Sequence, residues 1–119
     1  TQQELINAYD NTIVYTDYLL HNVIEQLQAV TAYETCLLFV SDHGESLGEN
    51  DMFMHGLPKD FAPREQFEIP FIVWENDSAT RTKELESVRQ FYVFHSVMNW
   101  FGMQGSVYNE EMNLFEPVD

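Results

Sequence analysis

The sequence predicts a layered α/β fold. Three observations predict it: a long first segment in which apolar residues recur with helical spacing, two short apolar segments in the middle of the chain, and a second helically spaced segment near its end. Helices that alternate with buried strands are typical of layered proteins with a largely parallel sheet. The 119 residues, 45% of them hydrophobic, suit a single domain with a packed core.

The first element is a long amphipathic helix, predicted over residues 3–29. Apolar side chains recur in this segment at intervals of three or four residues or their multiples, and the segment contains no glycine or proline. The positions that carry the spacing are Leu5, Tyr9, Ile13, Leu20, Ile24 and Leu27. The pattern therefore predicts one uninterrupted helix.

Two short apolar segments, residues 35–41 and residues 69–74, predict strands that are buried on both faces. Residues 44–68 between them are rich in glycine, proline and charged residues, and a connection of that length in a compact domain is usually functional or disordered. Most sheets contain about four to six strands. The missing strands are therefore expected upstream of Thr1.

Helical spacing returns over residues 82–101 and ends at Gly102, a residue type that often closes helices. His95 lies on the apolar stripe of this segment and is expected to be a core histidine. The tail after Gly105 is expected to be irregular. Because no internal repeat and no linker-like composition interrupts the chain, residues 1–119 are expected to form one portion of a single domain.

The chain is strongly acidic, with a formal net charge of −15 and no Lys or Arg before Lys59. Such a surface repels the phosphates of nucleic acids, so no nucleic-acid partner is expected. The longest apolar runs are far shorter than the roughly 20 residues that cross a bilayer, so no transmembrane segment is predicted. The single cysteine, Cys36, cannot form a disulfide within the chain and is expected to be a buried thiol.

Asp42 and His43 directly follow the first predicted strand. In open α/β sheets ligands bind beyond the carboxyl ends of the strands, so these side chains lie where a site is expected. A carboxylate oxygen and a neutral imidazole suit zinc or manganese when further ligands converge on the same ion. Gly44 allows the backbone to turn sharply beside them. Asp and His also cap turns, so the pair alone is a weak signal and is more typical of a structural role than of a metal site.

His55 lies in a second short motif, Met-His-Gly-Leu-Pro at residues 54–58, in which glycine and proline fix the path of the loop. Such rigidity suits a side chain that must hold a ligand, although on these residues alone a surface-loop histidine is slightly favoured. The sequence contains no glycine-rich phosphate loop, no Gly-x-Ser-x-Gly elbow and no Cys-x-x-Cys pair. These absences argue against several nucleotide-binding, serine-hydrolase and thiol-redox enzymes.

Longer sequence motifs carry information beyond the spacing of single residues. The most specific is Asp-His-Gly-Glu-Ser-Leu-Gly-Glu at residues 42–49, followed by His-Gly-Leu-Pro at residues 55–58. Together with residues 9–17, 61–66 and 69–71, they resemble the bacterial phosphoethanolamine transferases that modify lipid A or the lipopolysaccharide core. This family belongs to the sulfatase-like branch of the alkaline phosphatase superfamily. The resemblance implies its layered α/β/α fold, with this chain as the C-terminal part of the catalytic domain.

The resemblance also implies an inner-membrane enzyme whose catalytic domain lies in the periplasm. Such an enzyme moves phosphoethanolamine from phosphatidylethanolamine to lipid A or the lipopolysaccharide core through a phospho-threonine intermediate. Asp42 and His43 match the family's zinc ligands, which serve one or two zinc ions. His55 matches a histidine that lies close to the substrate phosphate or a second metal.

Several parts of the family's machinery precede the region that this chain resembles: the nucleophilic threonine, a zinc-ligating glutamate, a further substrate-site histidine and the transmembrane helices. No residue of this chain is therefore expected to be the catalytic nucleophile, and Thr12, Thr16 and Thr31 are not candidates. With two of four zinc ligands, the chain alone is expected to bind zinc weakly and to be inactive.

Two alternatives stay open. Other sulfatase-like enzymes, such as phosphoglycerol transferases and sulfatases, share the Asp-His-Gly string but less of the His-Gly-Leu-Pro loop. The second alternative is a non-catalytic module that self-associates, because an exposed sheet edge and an uncovered apolar face favour pairing between chains.

Overall fold

The computed structural model describes residues 1–76 and 82–116, which fall into two compact units, Thr1–Asn76 and Asp77–Asp119. Residues 77–81 and 117–119 of the predicted domain portion lie outside the described residues. The first unit contains helix α1 (Gln2–Gln28) and strands β1 (Cys36–Val40), β2 (Ser46–Leu47), β3 (Phe53–Met54) and β4 (Phe71–Glu75). Within residues 82–116, the second contains helix α2 (Tyr92–Trp100) and a 3₁₀ turn, Glu110–Met112. None of the described helices is both long and apolar enough to span a membrane.

Helix α1 confirms the first predicted element and begins one residue earlier than expected. Thr1 and Glu4 form a capping box, in which each side chain bonds the other residue's backbone and satisfies N–H groups that the first turn leaves free. No side chain on α1 is fully buried. Tyr9 and Leu20 are half-buried, whereas Val14 is 67% exposed. The helix therefore carries apolar side chains on its exposed face as well as on its packed one.

Strands β1 and β4 confirm the two predicted strands but pair antiparallel, with Leu38 opposite Val73. The alternation of helices and strands predicted a largely parallel sheet, and the pairing of these two strands departs from that direction. Parallel neighbours need a long crossover, usually a helix, whereas the connection from β1 to β4 holds only a hairpin and short 3₁₀ turns. An antiparallel strand on an otherwise parallel sheet is common, so the α/β class is unaffected.

Burial of the strands is also lower than predicted. Leu37 is the buried residue of β1, and the other four positions are half-buried. Ile72 on β4 is 40% exposed. Within the described residues, β1 and β4 form a two-stranded sheet with no further strand beside either of them.

A short antiparallel hairpin, β2 and β3, lies inside the segment that the sequence indicated only as a loop. Ser46 pairs with Met54, and Leu47 pairs with Phe53. The turn between them begins at Gly48, whose φ of 120° lies in the region that favours glycine. The N–H of Gly48 donates to the carbonyl of Met52 (2.9 Å), which closes the turn.

Helix α2 is shorter than the helix predicted over residues 82–101, because the start of that segment makes a different contact. Thr82 forms an isolated antiparallel bridge with Phe115, and the N–H of Lys83 donates to the carbonyl of Leu114 (2.7 Å). This non-local pairing overrides the local helical spacing. His95 on α2 is buried, as expected, and its Nδ1 accepts a hydrogen bond from the N–H of Asn109 (3.1 Å).

Candidate functional site

The site begins where β1 ends, because several hydrogen bonds fix the backbone that follows Val40. The N–H of Ser41 donates to the carbonyl of Pro70 (3.3 Å), and its hydroxyl donates to the carbonyl of His43 (2.7 Å). Further along, the N–H of Gly44 donates to the carbonyl of Gln66 (3.0 Å). The backbone that carries Asp42 and His43 is therefore held at both ends.

Gln66 also fixes the hairpin. Its side-chain amide is buried and donates to the hydroxyl of Ser46 (2.8 Å), which is buried as well. Gly44 and Ser46 flank Glu45, so one residue holds the backbone on both sides of that carboxylate. Removing either partner would leave a buried polar group unsatisfied, at a cost of about 1–3 kcal/mol.

Asp42 and His43 present two ligand atoms to the same space. Oδ1 of Asp42 accepts a hydrogen bond from the N–H of His43 (3.0 Å), and Oδ2 lies 3.7 Å from Nε2 of His43. Nδ1 of His43 donates to the carbonyl of Gly44 (2.8 Å), which assigns the proton to Nδ1 and the lone pair to Nε2. Tetrahedral zinc, with bonds of about 2.0–2.2 Å, separates two ligand atoms by roughly 3.4 Å. The donor set and its spacing therefore fit zinc.

His55 reaches this place through the register of the hairpin. Ser46 pairs with Met54, so the next rung of the antiparallel ladder sets Glu45 opposite His55. Nδ1 of His55 and Oε2 of Glu45 are 2.9 Å apart, a hydrogen bond that the ring donates. The rings of His43 and His55 are in contact and tilted, with centroids 3.8 Å apart and an interplanar angle of 31°.

The structure brings together His43, Glu45 and His55, whose ligand atoms all lie within 4.8 Å of one another and could hold a metal ion. Glu45 was missed by the sequence analysis. A carboxylate ten residues before a loop histidine carries no local pattern, and only the hairpin makes the two neighbours. The signal that could have found it is the pairing of residues across a turn at Gly48.

The family model for sulfatases matches residues 1–103. The chain belongs to the sulfatase family. It is 44% identical over 105 residues to phosphoethanolamine transferase EptA of Helicobacter pylori, covering 85% of this chain and 20% of that protein. EptA of Salmonella typhimurium is 33% identical over 129 residues, covering 98% and 24%. The Kdo(2)-lipid A phosphoethanolamine 7''-transferase of Escherichia coli is 39% identical over 77 residues, covering 65% and 13%.

Solved structures of the same kind superpose closely on this sulfatase-family chain. The C-terminal periplasmic domain of phosphoethanolamine transferase EptC from Campylobacter jejuni matches with a TM-score of 0.88 and 39% identity, covering 100% of this chain and 41% of that one. The soluble domain of lipooligosaccharide phosphoethanolamine transferase A from Neisseria meningitidis matches with a TM-score of 0.87 and 29% identity, covering 98% and 40%. The resemblance and the α/β class are confirmed. The chain spans about a fifth of the length of the EptA relatives.

A cleft of about 510 Å³ in the first unit opens beside the site of this sulfatase-family chain. Helix α1 and the two-stranded sheet form its apolar walls, and His43 and Glu45 lie on its lining. Apolar lining side chains include Tyr9, Ile13, Leu20, Phe39 and Ile72. The cleft therefore joins a mostly apolar space to the imidazole and carboxylate groups at the end of β1.

Other residues considered from the sequence take structural or surface roles. Arg64 is largely exposed, with its Nε 3.4 Å from Glu65 and 3.7 Å from Glu68. The hydroxyls of Thr12 and Thr16 donate to carbonyls of their own helix (2.7 and 3.0 Å). Both hydroxyls are therefore engaged by the backbone of α1.

Gly44 is required by the close approach of two backbone segments. A Cβ at this position would overlap the backbone carbonyl of Glu65. We expect Gly44→Ala to lower the free energy of unfolding by about 1–3 kcal/mol, because the added methyl group forces the two segments apart. Denaturant unfolding followed by circular dichroism measures the change.

Gly105→Ala is the matched control, because a Cβ there would meet only Cε of Met98 at 3.6 Å, an ordinary contact. We expect this variant to change the free energy of unfolding by no more than about 0.5 kcal/mol. Equal destabilisation by both variants would show that the approach of residue 65 to residue 44 is not a constraint.

Proposed function

We propose that this chain forms part of a zinc-dependent transferase that moves phosphoethanolamine from phosphatidylethanolamine to lipid A or the lipopolysaccharide core. The observation that carries the proposal is the pair of ligand atoms from Asp42 and His43 at the end of β1, with His55 beside them. The similarity to phosphoethanolamine transferases supports the transferred group, and the similarity to a Kdo(2)-lipid A phosphoethanolamine transferase supports the lipid A acceptor. In this proposal the activity belongs to the whole protein, and this chain supplies one wall of its active site.

Zinc would be held by Oδ2 of Asp42 and Nε2 of His43, together with ligands from outside this chain. These two residues supply two of the four ligands of a tetrahedral site. The complete site would hold one or two zinc ions. The chemistry that zinc supplies when bound is Lewis acidity, which lowers the pKa of a hydroxyl nucleophile and offsets charge on phosphoryl oxygens. Asp42 is 88% exposed, so its carboxylate is open to such an ion.

His55 binds the phosphate of the substrate in this proposal. Its ring is 45% exposed and Nδ1 donates to Glu45, so Nε2 is the remaining ring nitrogen, and it donates to a phosphoryl oxygen when the ring carries a proton on both nitrogens. The threonine that would form the phospho-threonine intermediate has no counterpart in this chain, which on its own is therefore inactive. Similarity to the C-terminal periplasmic domain of the Campylobacter jejuni transferase supports a periplasmic site in an inner-membrane protein.

We expect zinc binding by this chain to depend on Asp42 and His43. The substitutions Asp42→Ala and His43→Ala each remove one ligand atom and should weaken binding at least about tenfold, measured by isothermal titration calorimetry. His21→Ala is the matched control, because its ring is exposed on α1, 3.5 Å from Glu25. Unchanged affinity in both ligand variants would exclude the split zinc site.

The transferase activity is tested in a chimera, in which this chain replaces the matching segment of the Helicobacter pylori transferase. We expect the chimera to add phosphoethanolamine to lipid A, measured by mass spectrometry of lipid A from cells that express it. Because ligand loss should exceed the 10–100-fold effect of outer-shell changes, His43→Ala should reduce transfer at least about 100-fold.

His21→Ala in the same chimera should leave transfer unchanged. A stably expressed chimera without transfer would favour the alternative of another sulfatase-like enzyme, such as a phosphoglycerol transferase or a sulfatase. That outcome would separate the family, which is established, from the substrate, which is proposed.

Self-association is the second candidate role of the isolated chain, and the two-stranded sheet favours it. Within the described residues neither β1 nor β4 has a second neighbouring strand, and unpaired edges promote pairing between chains. We expect light scattering after size exclusion to show a dimer, and Ile72→Lys to shift it to a monomer because charge blocks edge pairing. Phe61→Lys, at an exposed apolar position outside the sheet, should remain dimeric. A monomeric parent chain would contradict this role.

A further inference from the structure

We propose that Glu45 is a positioning residue that holds the ring of His55 in one orientation and in the Nδ1–H tautomer, so that Nε2 is left for the substrate side of the site. The role in the reaction rests on the proposed function. The positioning itself rests on the hydrogen bond of 2.9 Å between Nδ1 and Oε2. Histidines at metal sites commonly donate their second N–H to a carboxylate, which fixes tautomer and orientation.

Hydrogen bonds to Gln66 anchor the chain around Glu45. Gln66 bonds the residues on both sides of it, through the N–H of Gly44 (3.0 Å) and the hydroxyl of Ser46 (2.8 Å). The side chain of Glu45 is 24% exposed, against 45% for His55. The carboxylate is therefore the fixed member of the pair, and the imidazole adjusts to it.

The hydrogen-bond inventory of Glu45 indicates the same role. Oε1 is buried and has no hydrogen-bond partner within residues 1–76 and 82–116, whereas Oε2 accepts from His55. A buried carboxylate oxygen is costly to desolvate, and a charge-assisted bond to the ring offsets part of that cost. The hydrogen bond to the imidazole of His55 is therefore the contact that this carboxylate makes in the described structure.

The backbone that delivers His55 is in an unusual conformation. Met54, directly before it, has a φ of 69°, which residues other than glycine rarely adopt. Such conformations persist where surrounding contacts hold them, and they cluster at functional sites. The turn at Met54 ends the hairpin and leaves the ring of His55 between Glu45 and His43.

Direct coordination is the competing role for Glu45, because its carboxylate could join His43 and His55 around one metal ion. The two roles differ in what glutamine can replace. The amide oxygen of Glu45→Gln accepts from Nδ1–H as the carboxylate does, so positioning survives this substitution. A neutral amide is a poor substitute for a carboxylate ligand of zinc, so coordination does not survive it.

Nitrogen NMR of the imidazoles tests the proposal without metal or substrate. The chain is labelled with ¹⁵N at its four histidines, stripped of metal and measured at a pH where the rings are neutral, with His55 assigned by His55→Gln. We expect Nδ1–H for His55 in the parent chain and in Glu45→Gln. We expect Glu45→Ala to shift His55 largely to Nε2–H, the form that neutral histidines prefer in water.

Asp10→Ala, which removes an exposed carboxylate from α1, is the matched control and should leave His55 as Nδ1–H. Glu45→Asp is the second variant, because it keeps the charge but shortens the reach and should shift the tautomer partly if Glu45→Ala does not fold. The proposal would be overturned if His55 keeps the Nδ1–H form in both Glu45→Asp and Glu45→Ala, or if it loses that form in Glu45→Gln.

Transfer by the chimera separates this inference from the proposed function. We expect Glu45→Ala to lower kcat about tenfold or more with a smaller change in KM, and Glu45→Gln to restore most of the rate. If the chimera is inactive for other reasons, the tautomer still decides the positioning. If Glu45→Ala abolishes transfer and zinc binding while Glu45→Gln rescues neither, coordination is the role and positioning is wrong.

Discussion

The candidate site depends on one buried residue, Gln66. Its backbone carbonyl accepts a hydrogen bond from the N–H of Gly44, and its side-chain amide donates to the hydroxyl of Ser46. Because Gln66 is 4% exposed and unsatisfied buried polar groups are costly, these bonds specify how the segment before β4 meets the segment after β1. They also set where the hairpin starts, and through its register they set the place of His55.

Much of the first unit could be predicted from local pattern. Helix α1 and strands β1 and β4 lie where periodicity and apolar composition indicate them. The direction of β4 could not be predicted, because it depends on the absence of a crossover helix in a connection that reads only as polar and flexible. The predicted length of α2 was wrong for a related reason, because residues 82 and 83 pair with residues far along the chain.

The residues of the candidate site could also be predicted only in part from the sequence. Asp42 and His43 stand out because they follow a buried strand, and His55 stands out because glycine and proline surround it. Their separate motifs contain no sign that the two rings lie 3.8 Å apart. That proximity arises from a hairpin whose strands are two residues long and whose turn includes positive φ angles at Asn50 and Asp51, a pattern too short for period-two alternation to reveal.

The two histidines are oriented by acceptors of different kinds. Nδ1 of His43 donates to the backbone carbonyl of Gly44, which no side-chain substitution elsewhere removes, whereas Nδ1 of His55 donates to a side-chain carboxylate. A ligand that must bind a metal in every state of the site is well served by the rigid backbone acceptor. A ring that must meet a substrate can instead be tuned through Glu45. In the proposed function, the metal-facing histidine would therefore be oriented by the backbone and the substrate-facing one by a side chain, within a single tilted pair of rings.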